Sequence, residues 1–226
     1  MLFSYKVRKI MMKRIEISLK NINWRLYVAL LVMGLCPTIY TTVRTFFLGQ
    51  LPGEWAYSIA GQLSWINLIY EIVNEAIILP LFFFVGKVIE NKNEFINRLK
   101  TGLLISLLIY SILSIFIIIY AEQMLSAMAT TKEIIPESAK YVRIESIANI
   151  FGILLSFSSV ALISLGKDKL IYILTVTKLV LCLIFDTFLV STLPFSANLG
   201  VNGIAYSNVI VNGLLFVTVI VILAKQ

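Results

Sequence analysis

Arg44, Glu71, Glu75, Glu145, Lys178 and Asp186 all stand inside stretches that are otherwise apolar. A charged side chain at the centre of a bilayer costs about 2.5–3.5 kcal/mol on insertion scales, so charges in such places are candidates for handling ions or substrates. Depth sorts them into possible neighbours. Asp186 lies roughly 25 Å along a helix from Lys169 at the 1.5 Å rise per residue, and Arg44 stands at nearly the same distance from Arg25. The two can therefore meet. Glu71 and Glu75 are four apart and share one helix face. Two carboxylates one turn apart can hold a proton between them, which makes this pair the candidate proton carriers. Lys178, roughly 13 Å along from Lys169, matches Glu75 in depth, so a second opposite-charge pair is expected there. Glu145 is expected to reach outward to the interface beside Arg143. The alternative to a polar cavity is a set of buried ion pairs that only hold helices in register.

Neutral polar residues follow the same helical spacing. Asn67 and Asn74 are seven apart, while Asn208 and Asn212 are four apart, so each pair can share a face. Such amides serve as interhelical bonds as often as ligand contacts. Pro37 and Pro80 free backbone carbonyls inside two of the apolar stretches.

What is missing narrows the chemistry. The chain has no His, and its two cysteines, Cys36 and Cys182, sit within apolar runs, so neither a metal site nor a disulfide framework is expected. No nucleophile, base and metal constellation can be assembled, no phosphate loop is present, and an enzyme and a cofactor are both excluded.

The elements that position these residues are membrane spans. The chain is 59% hydrophobic, only 14% charged, and has a mean hydropathy of +0.93. A soluble domain carries about 25% charged residues. The fold class expected is all-α, a polytopic membrane protein with six transmembrane helices: Leu26 to Leu48, Ser58 to Val85, Thr101 to Tyr120, Arg143 to Leu165, Leu170 to Thr192 and Gly203 to Ala224. The loop from Glu122 to Lys140, broken by Pro136, has room for a short interfacial helix, and Glu94 to Lys100 is a polar start to the third span. Gly200 to Gly203 reads as a turn leading into the sixth.

The net charge of +7 is concentrated ahead of the first span, in Lys6, Arg8, Lys9, Lys13, Arg14, Lys20 and Arg25. Residues 1–25 thus form a basic cytoplasmic segment, either an amphipathic helix on anionic lipid or a solvated tail, and residues 26–226 form the six-helix lobe. No soluble basic domain exists to bind nucleic acid. Lys87, Lys92, Arg98 and Lys100 follow span two, and Lys167 and Lys169 follow span four, whereas the connection after span one holds only Glu54 and that after span five no charge. This alternation, broken only by the third-to-fourth loop where Lys132, Lys140 and Arg143 are offset by Glu122, Glu133 and Glu137, places both termini in the cytoplasm.

The order of features resembles the N-terminal lobe of the MATE (multidrug and toxic compound extrusion) family, within the wider exporter group that includes lipid flippases. The resemblance runs from about Asn23 onward. It rests on IYTTVRTFFLG from Ile39 to Gly49, Gly86 after span two, YVRI from Tyr141, ALISLGK from Ala161 to Lys167, Phe185 with Asp186, and LGVNGIA from Leu199 to Ala205. It implies half of a twelve-span antiporter that exports organic cations or drugs against an inward Na⁺ or H⁺ gradient by alternating access. It also implies that Asp186 matches the acidic residue of the N-lobe cation site and Asn208 a polar position in span six. The chain departs from the family at three positions. Arg44 stands where an acid is usual, Cys182 where an Asn is expected one turn before Asp186, and Pro37 lies later than the usual proline of span one.

The function expected is an integral membrane efflux antiporter lobe whose ion or substrate cavity is lined by Asp186, Arg44, Glu71, Glu75, Asn208 and Lys178. Arg44 would act as a built-in cation against Asp186, shifting ion coupling to the glutamates of span two. Its partners would be membrane lipid, a small-molecule substrate, and a second six-helix lobe or another copy of itself, because one lobe does not enclose a pathway. The expected location is a bacterial cytoplasmic membrane. Two alternatives accompany this reading. A lipid-linked substrate flippase would use Arg44 and Lys178 for a pyrophosphate. A non-transporting scaffold or inactive remnant would use the charges for packing alone.

Overall fold

The computed structural model describes residues 24–51 and 55–225. Residues 1–23 of the expected basic segment 1–25, and Glu54, lie outside the described residues, while Trp24 and Arg25 begin the first helix. Every regular element described is a helix: α1 Trp24–Gln50, α2 Ala56–Gly86, α3 Lys92–Ala127, α4 Ile135–Ser164, α5 Asp168–Leu189 and α6 Asn202–Ala224. Four stretches within these helices are long and apolar enough to cross a membrane: Lys92–Ala127, Ile135–Ser164, Lys169–Leu189 and Asn202–Ala224. The protein is therefore a multi-pass membrane protein. α1 and α2, with 27 and 31 residues, reach comparable lengths.

Helix ends are set by local chemistry rather than by the edge of the apolar run. Asn91 caps α3 by accepting from the Glu94 N–H, and Glu94 then pairs with Arg98 one turn on. The third helix consequently begins nine residues before Thr101, the start that hydropathy alone indicates. Its far end also runs past Tyr120 to Ala127, where Ala129 turns left-handed at φ 56° and the Thr130 N–H closes on the Leu125 carbonyl. α4 starts at Ile135, with Pro136 in the first turn, where its missing N–H costs nothing. These two extensions leave only residues 128–134 as connection, so the expected interfacial helix between Glu122 and Lys140 does not form. Gly166, at φ +68°, makes the tight turn from α4 to α5, and Gly200, at φ +61°, the turn into α6.

α4 is the hub. It packs on α3 and α6 along most of its length and also touches α2 and α5, while α1 packs mainly on α5. Its buried face carries Ala148, Leu155, Phe157, Ala161 and Leu162. Close approach to α3 depends on Gly102, where a Cβ would sit 2.2 Å from the Phe157 ring. The outer faces of α2 and α3 are covered by Trp65, Phe83, Leu104, Ile112 and Phe116, all exposed, which is the surface that acyl chains would cover. A buried polar chain crosses the first half of the lobe. The Tyr110 hydroxyl donates to the Tyr70 carbonyl at 3.0 Å, the Tyr70 hydroxyl meets Ser114 Oγ at 2.9 Å, and Ser114 donates to the Ser146 carbonyl at 3.0 Å. It ties α2, α3 and α4 together with every donor used.

Candidate functional site

One connected set of polar side chains links α1, α4, α5 and α6. Arg44 on α1 donates from Nε to Asp186 Oδ2 at 3.1 Å and from Nη2 to Asp186 Oδ1 at 3.4 Å. The same Nη2 donates to Asn208 Oδ1 at 3.0 Å, and that oxygen also accepts from the Tyr40 hydroxyl at 3.1 Å. The amide is thereby oriented, with its NH₂ toward α4. There Nδ2 donates to both oxygens of Glu145, at 2.7 and 2.9 Å. Tyr40 stands one turn before Arg44, and its ring lies 4.2 Å from the guanidinium carbon, close enough for a cation–π contact.

The set is almost dry. Asp186 is 1% exposed, Glu145 6%, and the Arg44 side chain 16%. Two carboxylates thus share one guanidinium, with an amide between them. Burial at this depth raises the energy of any charge left without a partner, so each member depends on the next.

The expected meeting of Arg44 with Asp186 is present, and Asn208 is bound into it. Two other expectations change. Glu145 does not reach the interface beside Arg143, because residues two apart point to different sides of a helix. Arg143 instead pairs with Glu122 at 3.0 Å and donates to the Ile118 carbonyl, while Glu145 faces inward to Asn208. Lys178 forms no ion pair with Glu75, since α2 and α5 do not touch among the described residues. Equal depth is no guarantee of adjacency around the bundle.

Glu145 and Tyr40 are the members that sequence reasoning did not assemble. The signal for Glu145 is the stripe Tyr141, Glu145, Asn149 at four-residue spacing on α4, and that for Tyr40 its position one turn before Arg44.

Glu71 lies in a separate place. It lines a cavity of about 280 Å³ between α2 and α4, with Asn67, Asn74, Asn149 and Ser156. Asn149 reaches Asn67 Oδ1 at 3.5 Å, and Asn74 Oδ1 is shielded without a hydrogen-bond partner. Glu75 is exposed and does not line this cavity. Asn212 donates to the Ala148 carbonyl at 3.2 Å, an interhelical bond. No cluster of three or more His, Cys, Asp or Glu side chains able to hold a metal ion occurs among the described residues.

Comparison with known proteins supplies the family. No curated protein matches the sequence. Three solved structures share the fold: a crystal structure of a MATE mutant (TM-score 0.74, 16% identity), the outward-facing conformation of a multidrug resistance MATE family transporter of the MOP superfamily (0.71, 16%), and a crystal structure of MATE in complex with MaD3S (0.67, 17%). Each likeness covers 86% of this chain and 43% of the solved chain, so the sequence spans less than half the length of these structures. The MatE family model matches residues 29–189, most of the chain and both Arg44 and Asp186, and the chain accordingly belongs to the MatE family, a family of transporters rather than enzymes.

Proposed function

We propose that the chain is one six-span lobe of an integral membrane exporter of small organic molecules, with both termini in the cytoplasm, working with a second lobe or a second copy of itself. The observation that carries this reading is the buried Arg44–Asp186 pair on α1 and α5, extended through Asn208 to Glu145. A structural ion pair alone would need neither Asn208 nor the second carboxylate, whereas a site that exchanges partners as helices shift uses all four. The guanidinium occupies both oxygens of Asp186. It serves there as a fixed cation, where the family resemblance implies an exchangeable one. Coupling to H⁺ or Na⁺ then falls to carboxylates that Arg44 does not neutralise, and Glu71, facing the amide-lined cavity, is the better placed of the span-two pair.

The test is ethidium flux into proteoliposomes, measured against an imposed pH or Na⁺ gradient. Asp186→Asn is expected to lower flux about tenfold or more, as loss of a buried partner costs at least 1.4 kcal/mol, without changing the shape of the pH profile. Glu71→Gln or Glu75→Gln is expected to flatten that profile. A profile unchanged in both glutamate variants sinks the coupling assignment, and no flux under any gradient sinks the transporter reading.

A further inference from the structure

A second cavity, of about 240 Å³, opens between α1 and α5 and is lined by Cys36, Tyr40, Thr175, Lys178, Leu179 and Cys182. Lys178 is the one charged residue of that lining. Counted from Lys169 it sits roughly 13 Å into a hydrocarbon layer about 30 Å thick, too deep for a lysine stem to bring its ammonium among the headgroups. Among the described residues, no carboxylate lies within 4 Å of it. Glu71 and Glu75 are on a helix that α5 does not touch, Asp186 is engaged by Arg44, and Glu145 by Asn208. The amide that binds Glu145 is neutral, so Glu145 keeps its charge and acts on Lys178 at a distance, while no described carboxylate contacts the ammonium directly.

The remaining polar groups of the cavity are already committed. The Thr175 hydroxyl donates to the Ile171 carbonyl at 2.9 Å, and the Tyr40 hydroxyl donates to Asn208. Lys178 is thus left as the source of donors, with three N–H groups and a single positive charge. That is enough to match one monoanionic head, and too little for a pyrophosphate. Around it, Leu179 and the buried Cys36 and Cys182 offer an apolar wall.

The geometry points to a subsite for an apolar compound that carries one carboxylate, its anion against Lys178 and its hydrocarbon body between α1 and α5. Such a subsite goes beyond the ion-coupling reading and stands apart from the Glu71 cavity. Because Tyr40 belongs both to this cavity and to the Arg44–Asn208 contact, an occupant would press directly on the buried network.

Binding tests it without any transport measurement. The whole chain is placed in phosphatidylcholine nanodiscs and titrated with dansylundecanoic acid, with the methyl ester of the same probe as a neutral control. The acid is expected to bind saturably and about tenfold or more tighter than the ester, the scale of one charge-assisted contact. Lys178→Gln should reduce the acid to the affinity of the ester, and Lys178→Arg should retain the difference. Removing a charge from a span favours insertion, so Lys178→Gln is expected to fold, which its melting temperature verifies. Equal affinities of acid and ester, or an unchanged acid affinity in Lys178→Gln, overturn the proposal. Displacement of the acid by phosphatidylglycerol with the same dependence on Lys178 overturns it in favour of a bilayer lipid site. Failure of ethidium flux leaves this outcome unaffected, and the reverse also holds.

Discussion

Asp186 and Arg44 are each buried enough that neither tolerates losing the other alone. Asp186→Ala leaves a guanidinium without its carboxylate in a nearly dry place and is expected to destabilise the lobe by about 3–5 kcal/mol, whereas Arg44→Met combined with Asp186→Leu recovers most of that loss. Unfolding in mixed micelles by increasing dodecyl sulfate measures both, and a double variant as unstable as the single one would show that the pair does more than neutralise itself. The pairing was readable from the chain because both residues lie at one depth in spans that turn out to be neighbours. Glu145 was not readable in the same way. Its neighbour in sequence, Arg143, suggested a surface pair, but the side chains diverge, and Glu145 finds Asn208 across the α4–α6 contact instead. Lys178 fails as a pairing for the complementary reason, since depth says nothing about which helices are adjacent.

At the scale of elements, α4 decides the arrangement. It lies against α2, α3, α5 and α6, and so brings Glu145 toward Asn208 and Asn149 toward Asn67. The α3–α4 seam is close because Gly102 faces Phe157, and an added methyl would overlap that ring. Gly102→Ala is expected to cost about 1–3 kcal/mol by overpacking, and Phe157→Leu to offset part of that cost in the double variant. Thermal unfolding of the three variants checks this, and strictly additive losses would contradict direct contact at the seam. The six described helices were legible from apolar length, and Glu94 to Lys100 as the polar start of α3, but most of the other ends were not. Asn91 and Pro136 extend α3 and α4 beyond the hydrophobic run, since capping acts on backbone groups that hydropathy does not register.

For the whole molecule, the account is that this MatE lobe carries its own cation. Less than half of the solved relatives' length is spanned by the chain. Arg44 joins α1 to α5 through its ion pair with Asp186. The most direct measurement is the melting temperature of the purified chain as Na⁺ is titrated against choline at constant ionic strength. The wild type is predicted to show no saturable stabilisation by Na⁺ that depends on Asp186. Arg44→Gln, which frees both oxygens of Asp186, should acquire one, and Asp186→Asn added to it should remove it again. Saturable stabilisation of the wild type that disappears in Asp186→Asn would mean that a solute cation displaces the guanidinium, and would contradict the account.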